Sequence, residues 1–383
     1  MRIGLVVPGF SADPDDWCIP ALRHLVVRLV GSADVHVFAL RYPDHRRSYR
    51  VFGAQVTALG GGDATGARSA GLWQRTASAI AAEHRRRRFD VLHAFWAGEP
   101  GFLTALLGRI LGIPTVVSIA GGELARLRDI GYGGLLRRLE RVKTRLALRL
   151  ASAVTAGSVL ALASAEPFLP LRGASLSRRV PLGIDLAMFA PGRAPRNASP
   201  TRILHVASLS GVKDQATLLS AAAALEERGY AFQLDVVGTG PLEPELRALA
   251  GCLGLSETIC WRGAVPHDQM PRAYQRADLF VLSSRHEAQG MVALEAAACG
   301  VPVVGTAVGV IPELRPAART IRAGDAGGLA DGMAELVEDE PSRVRSGCAA
   351  RERAVAEYSI ELCTTRFLDL YRDVGAGSGA GRG

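Results

Sequence analysis

Short apolar runs alternate with longer segments of helical periodicity along this chain. Ile3–Val7, Val35–Leu40, Val91–His93, Thr115–Ile119 and Ala153–Ala156 are β-branched or apolar runs of strand length. Between them, Pro20–Leu29, Leu72–Arg87, Gly101–Leu111 and Leu135–Leu150 read as helices. The alternation restarts with Arg202–Ala207, Phe232–Val237, Ile259–Trp261, Leu279–Leu282 and Val301–Val304. Helical patterns fill the gaps at Asp214–Arg228, Pro244–Leu253, Met270–Arg276, Met291–Cys299 and Ala326–Val337. Strands this continuously apolar are buried on both faces, which predicts an α/β fold with parallel sheets and helices on either side.

The restart near residue 200 divides the chain. Ala190–Pro200, APGRAPRNASP, is rich in Pro and polar residues and reads as a linker. The predicted organisation is a Rossmann-like domain over 1–189, a linker over 190–200 and a second Rossmann-like domain over 201–358. A helix over 359–374 follows, then a Gly/Ser/Ala-rich tail over 375–383 expected to be disordered. Gly60–Gly62 reads as a loop. The N-terminus reads as a strand rather than a leader, and no stretch offers 18 uninterrupted apolar residues. A cytoplasmic protein is expected.

Composition narrows the classes. Hydrophobic residues make up 48% and charged residues 21%, which excludes wholesale disorder. The net charge of +8 is uneven: residues 1–199 carry a net +13 and the remainder a net −5. A basic half either meets anions, such as lipid, nucleic acid or a phosphorylated substrate, or spends arginine on solvated faces, as a high-GC bacterial genome would. Lys143 and Lys213 are the only lysines. The six cysteines are scattered, without C-x-x-C or zinc-finger spacing, so no metal site is expected. Gly238-x-Gly240 lacks the third glycine of a dinucleotide fingerprint.

Ser283–Pro302, SSRHEAQGMVALEAAACGVP, carries the most chemistry. Glu287 and Glu295 are spaced E-x7-E, the first in the loop after a strand, the second about one turn into a helix. A helix N-terminus offers unpaired N–H groups and a positive partial charge, which suits a diphosphate. Gly290 lets a ligand approach the backbone. A carboxylate one turn further in can accept ribose hydroxyls, and one just before the helix can hold a sugar hydroxyl. On the residues alone, two solvated glutamates in an ordinary strand–loop–helix account for the pattern equally well.

This segment resembles the E-x7-E signature of the family-4 retaining glycosyltransferases, whose fold is GT-B. Other segments match the family in order: VASLSGVKD at Val206–Asp214, VVGTGPL at Val236–Leu242, WRGAVP at Trp261–Pro266 and AVGVIPEL at Ala307–Leu314. DVLHAFW at Asp90–Trp96 and VPLGIDLAMF at Val180–Phe189 extend the likeness more loosely through the first half. The resemblance implies two Rossmann-like domains facing across a cleft, with the C-terminal helix crossing back to the first. It implies sugar transfer, with retention, from a UDP- or GDP-linked donor to a hydroxyl of a glycan or glycolipid, with no cofactor and no obligatory metal.

By the same resemblance, Glu287 would bind the donor sugar and Lys213 the leaving diphosphate; these are the catalytic pair. Glu295 would take the ribose, and the N–H groups of Gly290, Met291 and Val292 the diphosphate. Gly263 and Val265 would line the base pocket. Gly9, after the first strand, would admit donor phosphate or acceptor. Two positions depart from the family pattern. Its phosphate arginine falls at Ser208, and its donor-sugar histidine at Ala120. His93, Gly121, Gly122 and Glu123 are the acceptor-side candidates; Glu123 could equally cap a loop. These motifs point away from nucleic acid. Two rivals stand beside transfer: a GT-B sugar-nucleotide epimerase, and a non-catalytic nucleotide-sugar-binding partner subunit.

The segment 135–150 places Arg137, Arg141, Arg145 and Arg149 at i, i+4 spacing beside a stripe of Leu135, Leu139, Val142 and Leu146. One reading is peripheral contact with the inner face of a membrane, as in glycolipid biosynthesis. The other is a helix packed by its leucine stripe, with a solvated arginine face.

Overall fold

The computed structural model describes residues 1–65, 67–170, 176–192 and 200–379. The chain forms two α/β units: Met1–Gly183 together with the C-terminal helix (Ile360–Gly379), and Ile184–Ser359.

The first unit is built on an eight-stranded sheet. Its strands are β1 (Arg2–Gly9), β2 (Asp34–Tyr42), β3 (Arg46–Val51), β4 (Ala54–Leu59), β5 (Val91–Phe95), β6 (Thr115–Ile119), β7 (Ala153–Ala156) and β8 (Leu176–Arg179). The order is β3-β4-β2-β1-β5-β6-β7-β8, parallel throughout except for the β3–β4 hairpin. Period-two alternation sends Ile3, Leu5 and Val7 into one core and Val6 into another. Helix α1 (Pro20–Leu29) and the C-terminal helix cover the first face through Leu22, Leu25, Phe367 and Tyr371. Helices α2 (Ala67–Arg86) and α3 (Glu99–Leu111) cover the other through Leu72, Ile80, Leu103 and Leu107. Helices α4 (Arg138–Leu150) and α5 (Val159–Ala165) close the β6–β7 end through Ala147, Leu148 and Ala161.

The second sheet comprises β9 (Thr201–Val206), β10 (Phe232–Val237), β11 (Ile259–Gly263), β12 (Leu279–Leu282), β13 (Val303–Thr306) and β14 (Ala318–Ile321). Its order is β11-β10-β9-β12-β13-β14, all parallel. Helices α6 (Gln215–Glu227), α7 (Glu243–Cys252) and α10 (Ala326–Glu338) bury Leu218, Leu246 and Met333 on one face. Helices α8 (Met270–Arg276), α9 (Met291–Ala298) and α11 (Glu340–Tyr358) bury Tyr274, Leu294 and Ala354 on the other.

The structure departs from the sequence reading in several places. The hairpin β3–β4 lies outside the apolar pattern; it turns at Phe52-Gly53, both with positive φ, as a type I′ turn requires. Strands β8 and β14 and helix α11 are further additions. The unit boundary falls at residue 184, not 190–200. The Ile184 N–H donates to the Tyr358 carbonyl at 2.8 Å, and Phe189 packs edge-on to Tyr274, so this stretch belongs to the second core. Most of the expected linker, 193–199, lies outside the described residues, as do 380–383. Residues 375–379, expected to be disordered, continue the C-terminal helix.

The basic helix is also reversed. A short 3-10 turn, Gly134–Leu136, precedes α4, and α4 buries Lys143, Thr144, Ala147 and Leu148. Its expected packing stripe faces solvent: Leu139 is 62% exposed, Val142 53% and Leu146 38%. Among the described residues, no helix is long and apolar enough to cross a membrane.

Candidate active site

Strand order reverses in the second unit between β9 and β12, which are neighbours in the sheet but not in sequence. Loops leaving the carboxyl ends of such a pair diverge and open a crevice. Lys213 leaves β9 through a 3-10 turn, Gly211–Lys213, and Glu287 lies in the loop after β12. The Arg285 N–H donates to the Val212 carbonyl at 2.8 Å, and Ser283 Oγ to the Lys213 carbonyl at 2.8 Å, so the two loops are fastened together. Across that join, Lys213 Nζ donates to Glu287 Oε1 at 2.5 Å. Ser284 Oγ donates to the same oxygen at 2.7 Å. Both charged side chains keep some solvent contact, 22% for Lys213 and 13% for Glu287.

Helix α9 starts beside this pair. Gly290 occupies its N-cap at φ 85°, ψ 58°, and no side chain caps the helix. The left-handed backbone there is open to glycine at no steric cost. Gly290, Met291 and Val292 thus present the start of α9 next to Glu287. Glu295, one turn on, is buried and accepts from the Tyr274 hydroxyl at 2.7 Å. Burial raises its pKa to about 7, partly offset by that hydrogen bond. The carboxyl group therefore keeps its proton to higher pH than a solvated glutamate does.

The remaining donor-side residues of the sequence reading lie in the same unit. Gly263 ends β11 at φ 66°, and its carbonyl accepts from the Gly238 N–H at 2.8 Å. Val265 is partly buried against the second core. Ser208 is exposed after β9, with its Oγ 3.2 Å from Ser210 Oγ. Below them His205 is fully buried, its Nδ1 2.9 Å from the Val281 carbonyl and its Nε2 3.3 Å from Gln215 Nε2. Burial lowers its pKa to about 4, so it stays neutral and braces the floor. Gly9 ends β1. It is buried in the first unit, where an added Cβ would lie 3.0 Å from Tyr42 Cβ and 3.1 Å from Cys18 Sγ. Its missing side chain leaves room for that packing.

The first unit has a cavity of about 530 Å³ at the corresponding reversal, beyond the ends of β1 and β5. Pro8, Arg41, Trp96, Glu99, Glu123 and Tyr132 are among its lining residues. Trp96 adopts φ 72°, a left-handed conformation costing a bulky residue about 1–2 kcal/mol. Gly121 and Gly122 give way to aromatic side chains. A Cβ would lie 2.6 Å from Trp96 Nε1 at the first and 2.4 Å from the Tyr132 hydroxyl at the second. Glu123 caps the loop and also faces the cavity. Its Oε1 accepts the N–H groups of Ala97 and Ala120, each at 3.0 Å. Arg41 Nε donates to Glu99 Oε2 at 2.8 Å, fixing the opposite wall.

His93 is a correction. It is fully buried under the C-terminal helix, with Nδ1 2.7 Å from the Tyr371 hydroxyl and Nε2 2.7 Å from Ser118 Oγ. Burial lowers its pKa to about 3. Both ring nitrogens are engaged inside the core, so it is a structural residue and not an acceptor contact. Conversely, the sequence reading singled out neither Tyr274 and Ser284, which hold the two glutamates, nor Trp96. The two holders lack a spacing signal. Trp96 sits inside the DVLHAFW match, where no spacing sets it apart.

Comparison with known proteins follows the same division. The family model described as glycosyl transferases group 1 matches residues 191–353, and the glycosyl transferase 4-like domain matches residues 19–166. An alpha-D-kanosaminyltransferase of Streptomyces kanamyceticus is 27% identical over 74% of this chain and 76% of its own length. A D-inositol 3-phosphate glycosyltransferase of a Mycobacterium species (strain KMS) is 29% identical over 74% of this chain and 66% of its own. Among solved structures, sucrose-phosphate synthase from Thermosynechococcus elongatus superposes with a TM-score of 0.76 at 20% identity, covering 98% of this chain and 99% of that one.

Proposed function

Because this chain belongs to the group 1 glycosyltransferases of the GT-B fold, we propose that it moves a sugar, with retention, from a UDP- or GDP-linked donor to a hydroxyl of a glycan or glycolipid. The observation that carries the donor side is the Lys213–Glu287 pair, fastened over the β9–β12 reversal at the mouth of α9. An incoming diphosphate would replace Glu287 as the partner of Lys213, releasing Glu287 to accept a donor-sugar hydroxyl. The N–H groups of Gly290, Met291 and Val292 would meet the diphosphate, Glu295 the ribose, and backbone near Gly263 and Val265 the base. Ser208 would offer a hydroxyl where the resemblance expects a guanidinium.

In the transfer step, the acceptor oxygen attacks the anomeric carbon on the face the diphosphate leaves. The carbon–oxygen bond to the diphosphate breaks, and its oxygen takes the acceptor proton. The Lys213 ammonium stabilises charge developing on that oxygen, so no obligatory metal is invoked. On the acceptor side, the cavity holding Trp96 and Glu123 offers an aromatic face and a carboxylate, a pairing suited to sugar rings.

Thermal-shift measurements with UDP, GDP and ADP test the donor reading. At a hundred times its dissociation constant, the correct diphosphate stabilises by about 2.7 kcal/mol. The shift should vanish in Glu295→Ala and weaken in Lys213→Ala. No shift with any of the three would overturn the assignment, and an inverted anomeric configuration in the product would overturn retention.

A further inference from the structure

With Lys143, Thr144, Ala147 and Leu148 turned inward, the solvent face of α4 is centred near Arg149. At about 100° per residue, Arg141, Arg145, Arg138 and Arg149 follow one another along one edge of that face. Val142, Leu146 and Leu139 form the other edge, and all seven side chains are exposed. The single acid of the helix, Glu140, is paired with Lys143 at 2.5 Å and does not offset the arginines. Helix α3, packed alongside α4, adds exposed Leu106, Arg109 and Ile110.

We propose that this face docks on an anionic lipid bilayer, with α4 lying in the headgroup plane. The apolar edge enters the acyl boundary and the arginines meet lipid phosphates. A solvated helix has no use for three adjacent branched apolar side chains, and a packing face would have buried them. The adjoining arginines select a negatively charged partner. The inference rests on the glycosyl-transfer reading only in that it brings the first unit to a lipid-borne acceptor.

Co-sedimentation of the full chain with vesicles tests it, using phosphatidylcholine alone and phosphatidylcholine mixed with phosphatidylglycerol. The wild type should sediment only with the mixed vesicles, and added salt should release it. The triple variants Leu139→Ser/Val142→Ser/Leu146→Ser and Arg138→Gln/Arg145→Gln/Arg149→Gln should each lower partitioning by about a hundredfold. Both variants should keep the nucleotide thermal shift, which shows that they are folded. Wild type that ignores the mixed vesicles, or variants that bind like wild type, would overturn the proposal. So would a concentration-dependent dimer dissolved by the serine variant, which would give the face to a second copy. Vesicle binding without any nucleotide shift would instead sink the donor reading and leave this one standing.

Discussion

Glu295 shows how burial sets the chemistry of a single side chain. The Tyr274 hydroxyl donates to it at 2.7 Å, but burial outweighs that bond. The folded chain therefore disfavours the ionised form, raising the pKa from 4.5 to about 7. The sign of the linkage follows. Stability supported by the protonated carboxyl is complete below the unfolded value and is lost as pH rises through the folded one. Glutamine keeps an acceptor for Tyr274 and cannot ionise. Without nucleotide, Glu295→Gln should match wild type near pH 4 and exceed it by up to about 3 kcal/mol near pH 8, measured by urea denaturation. A gap that stays constant between those two pH values would contradict a buried carboxyl with a raised pKa. Lys213 and Glu287 behave differently, because each is the other's partner. Lys213→Ala would leave Glu287, only 13% exposed, with the Ser284 hydroxyl as its donor, so urea denaturation should show a loss of stability alongside the loss of turnover.

At the scale of elements, the α9 entrance joins backbone geometry to ligand chemistry. Gly290 sits at φ 85°, where alanine is strained by about 1–2 kcal/mol and asparagine by less. Gly290→Ala should lower unfolding free energy by about 1 kcal/mol, and Gly290→Asn by a smaller amount. Equal costs would mean that the strain is relieved by moving the loop. Elements of this kind were legible where physics left one choice. Strand β12 is buried throughout and reads as an unbroken apolar run, and β5 and β6 are buried throughout with only His93, Thr115 and Ser118 interrupting the pattern. The E-x7-E spacing and the scarcity of lysine marked Glu287, Glu295 and Lys213. What stayed hidden has equally plain causes. Edge strand β3 shows mostly arginine and polar side chains, and α11 buries a narrow face of Ala350, Ala354 and Tyr358 between charged residues. Tyr274 and Ser284 serve the site from other elements, where periodicity says nothing. In α4 the apolar residues were visible, but their outward direction depends on α3 and Trp73. Lys143 lies 5.8 Å from the Trp73 ring centroid and fills the inward face that the leucines were expected to occupy.

At the scale of the whole molecule, the two units are unlike in how the chain closes them. The second is one continuous segment, Ile184–Ser359, whereas the first is completed by the last helix of the chain. That helix buries Ile360, Phe367, Leu370, Tyr371 and Val374 in the first core and supplies the hydroxyl on His93. At about 1.5–3 kcal/mol for each large side chain taken from water, its loss rivals the 5–15 kcal/mol stability typical of a domain. Ending the chain at Ser359 should therefore unfold the first unit and spare the second. The tryptophans separate the two outcomes, since Trp17, Trp73 and Trp96 belong to the first unit and Trp261 to the second. In the truncated chain, most tryptophan emission should move to the wavelength of solvent-exposed indole, while a nucleotide that stabilises the intact protein still raises the remaining melting transition. Native emission from the truncated chain would show that the first core stands without its last helix. Loss of both signals would show that the second unit, despite its contiguous segment, does not fold alone.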